Sequence, residues 1–279
     1  MQIKENTMAN KTRILFTDID DTLLNAKKEI TPEVDAAIRR ALDAGHKIVI
    51  STGRPLAGAL PIVRRLRLDT DGCYAITFNG ALIWDCGAGK PLYKNTITKE
   101  EAAYIFHKAK EAHFHVQTYD SENILTPADD KEVRFYAEKM HMTYKVMPDL
   151  PDSIPEDPAK VLMVSLDEHD RLEQFRQDIS GWAKGRISVF FSNQWYLEFV
   201  REGISKGFAV RYIASHLGVP MENTVAAGDA ENDIAMLKAA HIGCAMANAT
   251  DEVKKAADYV TVRDCEHSGV AEIIDKFIL

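Results

Sequence analysis

The chain has 279 residues, 46% of them hydrophobic, and a net charge of −8, enough length for one large core or a core with a smaller second domain. The acidic balance argues against a nucleic-acid partner, whose phosphates are gripped by Lys and Arg, but leaves room for a small anionic substrate held by a local positive field or a metal. No apolar run reaches the roughly 18 residues of a membrane helix, and Cys73, Cys86, Cys244 and Cys265 form no CxxC pair, which disfavours zinc and a redox dithiol and fits reduced thiols in the cytoplasm.

Residues 1–13 lack the apolar stretch of a signal peptide and read as a frayed lead-in, with Met8 an alternative start. RILFTDI (13–19) predicts a short buried strand. In ITPEVDAAIRRALDAGH (30–46), Thr31 is the cap, Pro32 takes the first helical position and Glu33 adds an acid to the first turn. Val34, Ile38, Ala41 and Leu42 form the apolar stripe, and Gly45 ends the helix. KIVIST (47–52) is a second strand, LAGALPIVRRLRL (56–68) a helix interrupted by Pro61, and CYAITFNG (73–80) a third strand. Continuous apolar strands alternating with helices predict an α/β fold with a Rossmann-like parallel sheet covered on both faces.

From Trp84 to about Tyr196 the rhythm changes. Strands such as KPLYKNTI, HFHVQTY and AKVLMVSL are longer and more polar, helices over 99–112 and 169–179 lie among them, and PDLPDSIPEDP (148–158) is a proline-rich connector. The aromatic run Phe190, Phe191, Trp195 and Tyr196 reads as core and hinge packing, and His113 and His115 as two residues sharing one face of a strand. From Leu197 the parallel rhythm returns with YLEFV, the helix GFAVRYIASHLG and the strand TVAAGD. The expected division is a discontinuous core, 1–83 and 197–279, interrupted by an inserted α+β domain, 84–196.

Four polar clusters fall at expected strand ends, where parallel α/β sheets bind ligands: Asp18/Asp20/Asp21/Thr22, Ser51-Thr52-Gly53-Arg54, Asn79-Gly80, and Gly228-Asp229-Ala230-Glu231-Asn232-Asp233. Asp18 and Asp20, two apart in an extended backbone, share a face and repel unless a cation sits between them. Asp229 supplies a third acid. Oxygen ligands without nearby His or Cys point to Mg2+. The Thr52 hydroxyl, the N–H groups after it, and Lys206 at the start of a helix suit an anion. Together these groups make a phosphoryl-transfer site.

The same residues resemble the haloacid dehalogenase-like hydrolases. FTDIDDTL is similar to their first motif, usually DxDGT; STGRP, the lysine of GISKGFAV, and GDAENDIAML are similar to the second, third and fourth motifs of the Cof-type subgroup. ITFNGAL, IGCAMANATDEVKKAADYVT and the late SGVA fit it too, so the resemblance spans nearly the whole chain. The 84–196 region resembles that subgroup's type-two cap, and STGRPLAGAL and EAHFHVQTY are closest to YidA-type sugar phosphatases. The resemblance implies that Asp18 is the nucleophile and Asp20 the acid and base, with Thr52 holding a phosphoryl oxygen and Lys206 neutralising charge. It also implies a Mg2+ site of Asp18, the Asp20 backbone carbonyl and Asp229, with Asn232 and Asp233 orienting the groups around it. Gly53, Arg54, Asn79, Gly80 and Asn232 are the expected substrate contacts. Asp21 stands where Gly is commoner, at a tight turn that Asp tolerates.

The expected partner is a small phosphorylated metabolite, sugar phosphates first, with pyridoxal phosphate and flavin mononucleotide as options, and a monomer or weak homodimer as the assembly. Alternatives are a phosphotransferase resembling phosphomannomutase and a non-catalytic module that binds a phosphometabolite. GISKG also spells the G-x-S-x-G nucleophile elbow around Ser205, a reading that leaves Asp18, Asp20 and Thr52 unexplained.

Overall fold

The computed structural model describes residues 12–120 and 122–279; the lead-in and Met8 lie outside them. Among the described residues fourteen strands run, in chain order, β1 (Ile14–Thr17), β2 (Lys47–Ser51), β3 (Tyr74–Thr77), β4 (Leu82–Asp85), β5 (Lys90–Lys94), β6 (His115–Tyr119), β7 (Asn123–Thr126), β8 (Thr143–Val146), β9 (Val161–Val164), β10 (Ile187–Asn193), β11 (Tyr196–Arg201), β12 (Thr224–Gly228), β13 (Ile242–Ala245) and β14 (Tyr259–Val260). The α-helices among the described residues are α1 (Pro32–Asp43), α2 (Leu56–Arg65), α3 (Lys99–Glu111), α4 (Lys131–Met140), α5 (His169–Ala183), α6 (Lys206–His216), α7 (Ile234–Ala239), α8 (Asp251–Ala256) and α9 (Gly269–Phe277).

The strands form two sheets. An eight-stranded sheet has the order β14-β13-β12-β1-β2-β3-β4-β5, parallel from β14 to β3 and closed by the antiparallel pair β4 and β5. Its two faces carry separate apolar layers. Leu15, Ile48 and Ile50 pack with Val34 and Ile38 of α1 on one side; Phe16, Val49 and Ile76 pack with Val210 and Ile213 of α6 on the other. The alternation of strand side chains between faces produces this division, and burial on both faces explains why the strands read as unbroken apolar runs. The α1 start is as the sequence predicts: Thr31 Oγ1 accepts from Val34 N–H at 3.3 Å, and Gly45 turns the chain with φ +86°.

A six-stranded sheet has the order β10-β11-β9-β6-β7-β8. Every pairing in it is antiparallel except β7 with β8. Helices α3 and α5 cover it through Phe106, Leu172 and Phe175. The strand pairings turn from one sheet to the other after Lys94 and again after Arg201, whereas the sequence places those turns at 84 and 196. His113 lies before β6 with φ +58°, so it shares no strand face with His115. Pro61 sits inside α2 without ending it.

Candidate active site

All four polar clusters meet at the carboxyl ends of β1, β2, β3 and β12. The Asp18 N–H donates to Ala227 O at 3.0 Å, which ties the end of β1 to β12. Thr52 N–H donates to Ile76 O at 2.9 Å and Asn79 N–H to Thr52 O at 3.0 Å, which ties the ends of β2 and β3 together. Asp21 takes the left-handed conformation, φ +58°, at the turn where a glycine is commoner, and its exposed side chain lies 3.5 Å from Lys28 Nζ.

At the bottom of the site Lys206 is fully buried. Its Nζ donates to Asp18 Oδ1 at 2.5 Å and Asp233 Oδ1 at 2.6 Å. The other Asp233 oxygen accepts the N–H groups of Asp229 and Ala230 at 3.0 and 3.1 Å. That loop is tight enough that a Cβ on Gly228 would lie 2.4 Å from Asp233 Cβ, so only glycine fits there. Asp229 Oδ1 accepts from the Thr22 hydroxyl at 2.6 Å. Carboxylate oxygens of Asp18, Asp229 and Asp233 lie within 4.8 Å of one another. Burial, with the charges of Asp233 and Asp20 added, pushes Asp18 up to about 7 against the pull of Lys206. Burial and the charges of Asp233 and Asp18 push Asp229 well up. Lys206, although burial opposes its charge, is raised by Asp18 and Asp233.

Asp20 does not share a side with Asp18. The strand ends at Thr17, the turn begins, and the Asp20 carboxylate faces Arg54 Nη2 at 2.7 Å, Arg54 Nε at 2.8 Å and Lys28 Nζ at 2.9 Å. Burial favours the neutral acid, but these two cations outweigh it and hold Asp20 well below the usual carboxylate range. The sequence expectation that the two acids would face a single cation is therefore corrected: Asp18 meets Lys206, and Asp20 meets Arg54 and Lys28.

The remaining expected residues divide by depth. Asp18, Asp20, Thr52, Gly53, Arg54, Asp229 and Asn232 line a cavity of about 130 Å³. Asn79 and Gly80 stand behind it. Asn79 Oδ1 accepts from Asn232 Nδ2 at 2.9 Å and lies against Gly53. A Cβ on Gly80, φ +104°, would lie 2.5 Å from Ser205 O, so glycine there lets the start of α6 bring Lys206 in. Ser205 itself caps α6, its Oγ accepting from Phe208 N–H at 3.1 Å, and His267, the histidine the nucleophile-elbow reading would need, meets Asp264 Oδ1 at 2.7 Å instead.

The opposite wall of the cavity comes from the six-stranded unit: Tyr136, Lys139, Lys160, Tyr196 and Glu198 among others. The sequence reading missed these, apart from Tyr196, which it placed in core packing. One signal was available: Glu198 sits in the middle of the apolar run YLEFV, and a buried carboxylate needs a partner. The partner is Lys160, 2.8 Å away, with both side chains almost fully buried.

Comparison with known proteins places these features in context. A family model described as haloacid dehalogenase-like hydrolase matches residues 15–274. The chain is 30% identical to a 5-amino-6-(5-phospho-D-ribitylamino)uracil phosphatase of Bacillus subtilis, over 96% of each chain. It is also 30% identical to a pyridoxal phosphate phosphatase of Escherichia coli, over 96% of this chain and 99% of that one. A crystal structure of a haloacid dehalogenase-like hydrolase from Bacteroides thetaiotaomicron is 31% identical and superimposes with a TM-score of 0.86, covering 95% of this chain and 99% of that chain. No helix among the described residues is long and apolar enough to cross a membrane.

Proposed function

The chain belongs to the haloacid dehalogenase-like hydrolase family, and from that premise we propose that it is a Mg2+-dependent phosphatase acting on phosphoric monoesters of small metabolites, sugar phosphates first among them. The observation that carries this reading is the Asp18 carboxylate: buried at a strand end, in contact with Lys206 Nζ, and opening on a cavity rimmed by Thr52, Arg54 and Asp229.

Three carboxylates gather at the base of the site, and the one ammonium there pairs with two of them, Asp18 and Asp233. The excess negative charge, the all-oxygen donor set and the upward push on Asp18 and Asp229 fit a hard divalent cation. Asp18 and Asp229 would hold Mg2+ with the Asp20 backbone carbonyl. Asp233, both of whose oxygens are occupied by Lys206 and backbone N–H groups, would orient its neighbours, as would Asn232. Bound there, Mg2+ supplies charge neutralisation for the phosphoryl oxygens.

In the proposed reaction an Asp18 carboxylate oxygen attacks phosphorus and the bond from phosphorus to the ester oxygen breaks. The leaving oxygen takes a proton from Asp20. Water then attacks the aspartyl-phosphate, gives its proton to Asp20, and the bond to Asp18 breaks to release inorganic phosphate. Thr52 suits the phosphoryl group because its Oγ1 accepts from Arg54 N–H at 3.1 Å, leaving its own hydrogen to donate. Asp20 is held here in the ionised form that takes a proton from water. To donate one it must part from Arg54, and an arriving phosphoryl dianion competes for that guanidinium. The facing unit, 84–196 in the sequence reading, would act as a cap that closes over the crevice and excludes water.

The test is a phosphate-release screen over small monoesters with Mg2+ and no acceptor sugar, with Asp18→Asn as the blank. Steady release that Asp18→Asn abolishes and chelation removes supports the reading. Release that survives Asp18→Asn overturns it, and release that needs an acceptor sugar installs the phosphotransferase instead.

A further inference from the structure

The cap side of the cavity offers hydrogen-bond donors that no described residue takes up. Tyr196 is 3% exposed and lines the cavity, yet its buried hydroxyl has no hydrogen-bond partner among the described residues. A buried hydroxyl left unpaired costs stability unless a ligand completes it. Tyr136, 2% exposed, also lines the cavity. Its hydroxyl accepts from Tyr119 at 2.9 Å, at the end of a buried chain in which Gln117 Nε2 donates to Tyr119 and Gln117 Oε1 meets the His115 ring. The hydrogen on Tyr136 therefore has no acceptor among the described residues.

Lys139 lines the same cavity. Its ammonium lies 5.0 Å from the Trp195 ring centre, 5.6 Å from that of Tyr196 and 5.9 Å from that of Phe135. The aromatic faces fix its position but supply no counter-charge. It makes no ion pair among the described residues, although Asp20 and Asp21 are near enough to feel it, because Asp20 is taken by Arg54 and Lys28. Glu198, the one carboxylate of the described residues on this wall, pairs with Lys160 Nζ at 2.8 Å and accepts from the Ser192 hydroxyl at 2.7 Å. The wall is thus cationic and donor-rich where the alcohol of the ester would sit.

We propose that the substrates are compact phosphoric monoesters whose alcohol carries a second anionic group, a carboxylate or another phosphate, seated against Lys139 and the hydroxyls of Tyr136 and Tyr196. This deepens the phosphatase reading and rests on it. A second anion gives the ammonium its missing partner and both phenols an acceptor. The cavity of about 130 Å³ is smaller than the ~300–1,000 Å³ of sites for drug-sized ligands, which selects short acid phosphates over esters of extended rings.

The experiment pairs substrates that differ only in the second group: glycerol 3-phosphate with 3-phosphoglycerate for a carboxylate, and glucose 6-phosphate with glucose 1,6-bisphosphate for a phosphate. Phosphate release with Mg2+ should favour the anionic member by roughly tenfold or more in kcat/KM, the scale of one charge-assisted hydrogen bond. Lys139→Met should bring that ratio close to one, and Lys139→Arg should keep most of it. The carboxylate and bisphosphate arms tell which anion the wall takes. Melting shifts of the Asp18→Asn protein with the same compounds give a readout that needs no turnover, the anionic member again giving the larger shift and Lys139→Met removing the difference. Wild-type protein that handles both members alike, or a ratio that Lys139→Met leaves intact, overturns the proposal. No hydrolysis of any ester, p-nitrophenyl phosphate included, sinks the phosphatase reading instead, and the melting shifts still decide the subsite.

Discussion

Lys206 shows how one buried side chain holds the site together. It pairs with Asp18 and Asp233 at once, and all three are buried. Removing a buried ion's partner costs about 3–5 kcal/mol, because the remaining charge has lost its water and its counter-ion. Lys206→Met leaves two carboxylates facing each other, whereas Asp18→Asn leaves a matched Lys206 and Asp233 pair. Both variants should be inactive, but the unfolding free energy from urea melts should fall by that amount only for Lys206→Met; equal values for the two variants would mean that the ammonium has no structural share. This lysine was legible in the sequence because its position before a helix start, after a run of strand residues, constrains where it can reach. The direction of Asp20 was not. Spacing of two implies a shared face only while the backbone stays extended, and the chain leaves β1 after Thr17. The partners that turn Asp20 away, Lys28 and Arg54, are brought to it by the turn after β1 and the end of β2, and no local pattern encodes that meeting.

At the scale of the element, strand character was readable and strand membership less so. β5 has a half-exposed pattern, with only Leu92 and Tyr93 partly buried, so it reads like the polar strands of an insert; in fact it is the edge of the eight-stranded sheet. β11 makes the opposite impression. It is buried along nearly its whole length because it lies between β10 and β9 with side chains covered on both faces, so it reads like a parallel core strand while pairing antiparallel. The β6–β7 hairpin offers a direct test of element stability. Asp120 Oδ1 accepts the N–H groups of Glu122 and Asn123 at 2.8 and 2.6 Å, and Oδ2 meets Lys145 Nζ at 3.0 Å. Burial pushes the carboxyl up, but these donors prevail and lower it from 3.8 to about 2. A depressed acid stabilises the fold in full above its ordinary value of 3.8, and the contribution shrinks as pH falls toward about 2. Asp120→Ala should cost about 1–2 kcal/mol at neutral pH. The gap between the two proteins in denaturant melts should narrow once the pH drops below 3.8; a gap that widens with acid would place the stabilising form in the protonated carboxyl.

At the scale of the whole molecule, the two sheets meet over the cavity through Lys160. This side chain, just before β9 and 1% exposed, pairs with Glu198 of β11 and donates to Gly53 O at 2.8 Å, in the loop that carries Thr52 and Arg54. One ammonium therefore pairs with a carboxylate of the six-stranded unit and fastens that unit to the loop of Thr52 and Arg54. The two roles separate by mutation. Lys160→Met leaves Glu198 buried and unpaired, at a cost of about 3–5 kcal/mol. Adding Glu198→Leu removes the orphaned charge, and exchange of a buried ion pair for apolar groups is close to neutral, so the double variant should regain most of the lost stability. It still lacks the bond to Gly53. If that bond holds the cap against the loop, the double variant should melt near the wild type yet show a larger radius of gyration by small-angle scattering and a raised KM. If it recovers compactness and KM together with stability, Lys160 serves only Glu198, and closure rests on the apolar contact of Phe78 and Leu82 with Tyr119 and Ile124.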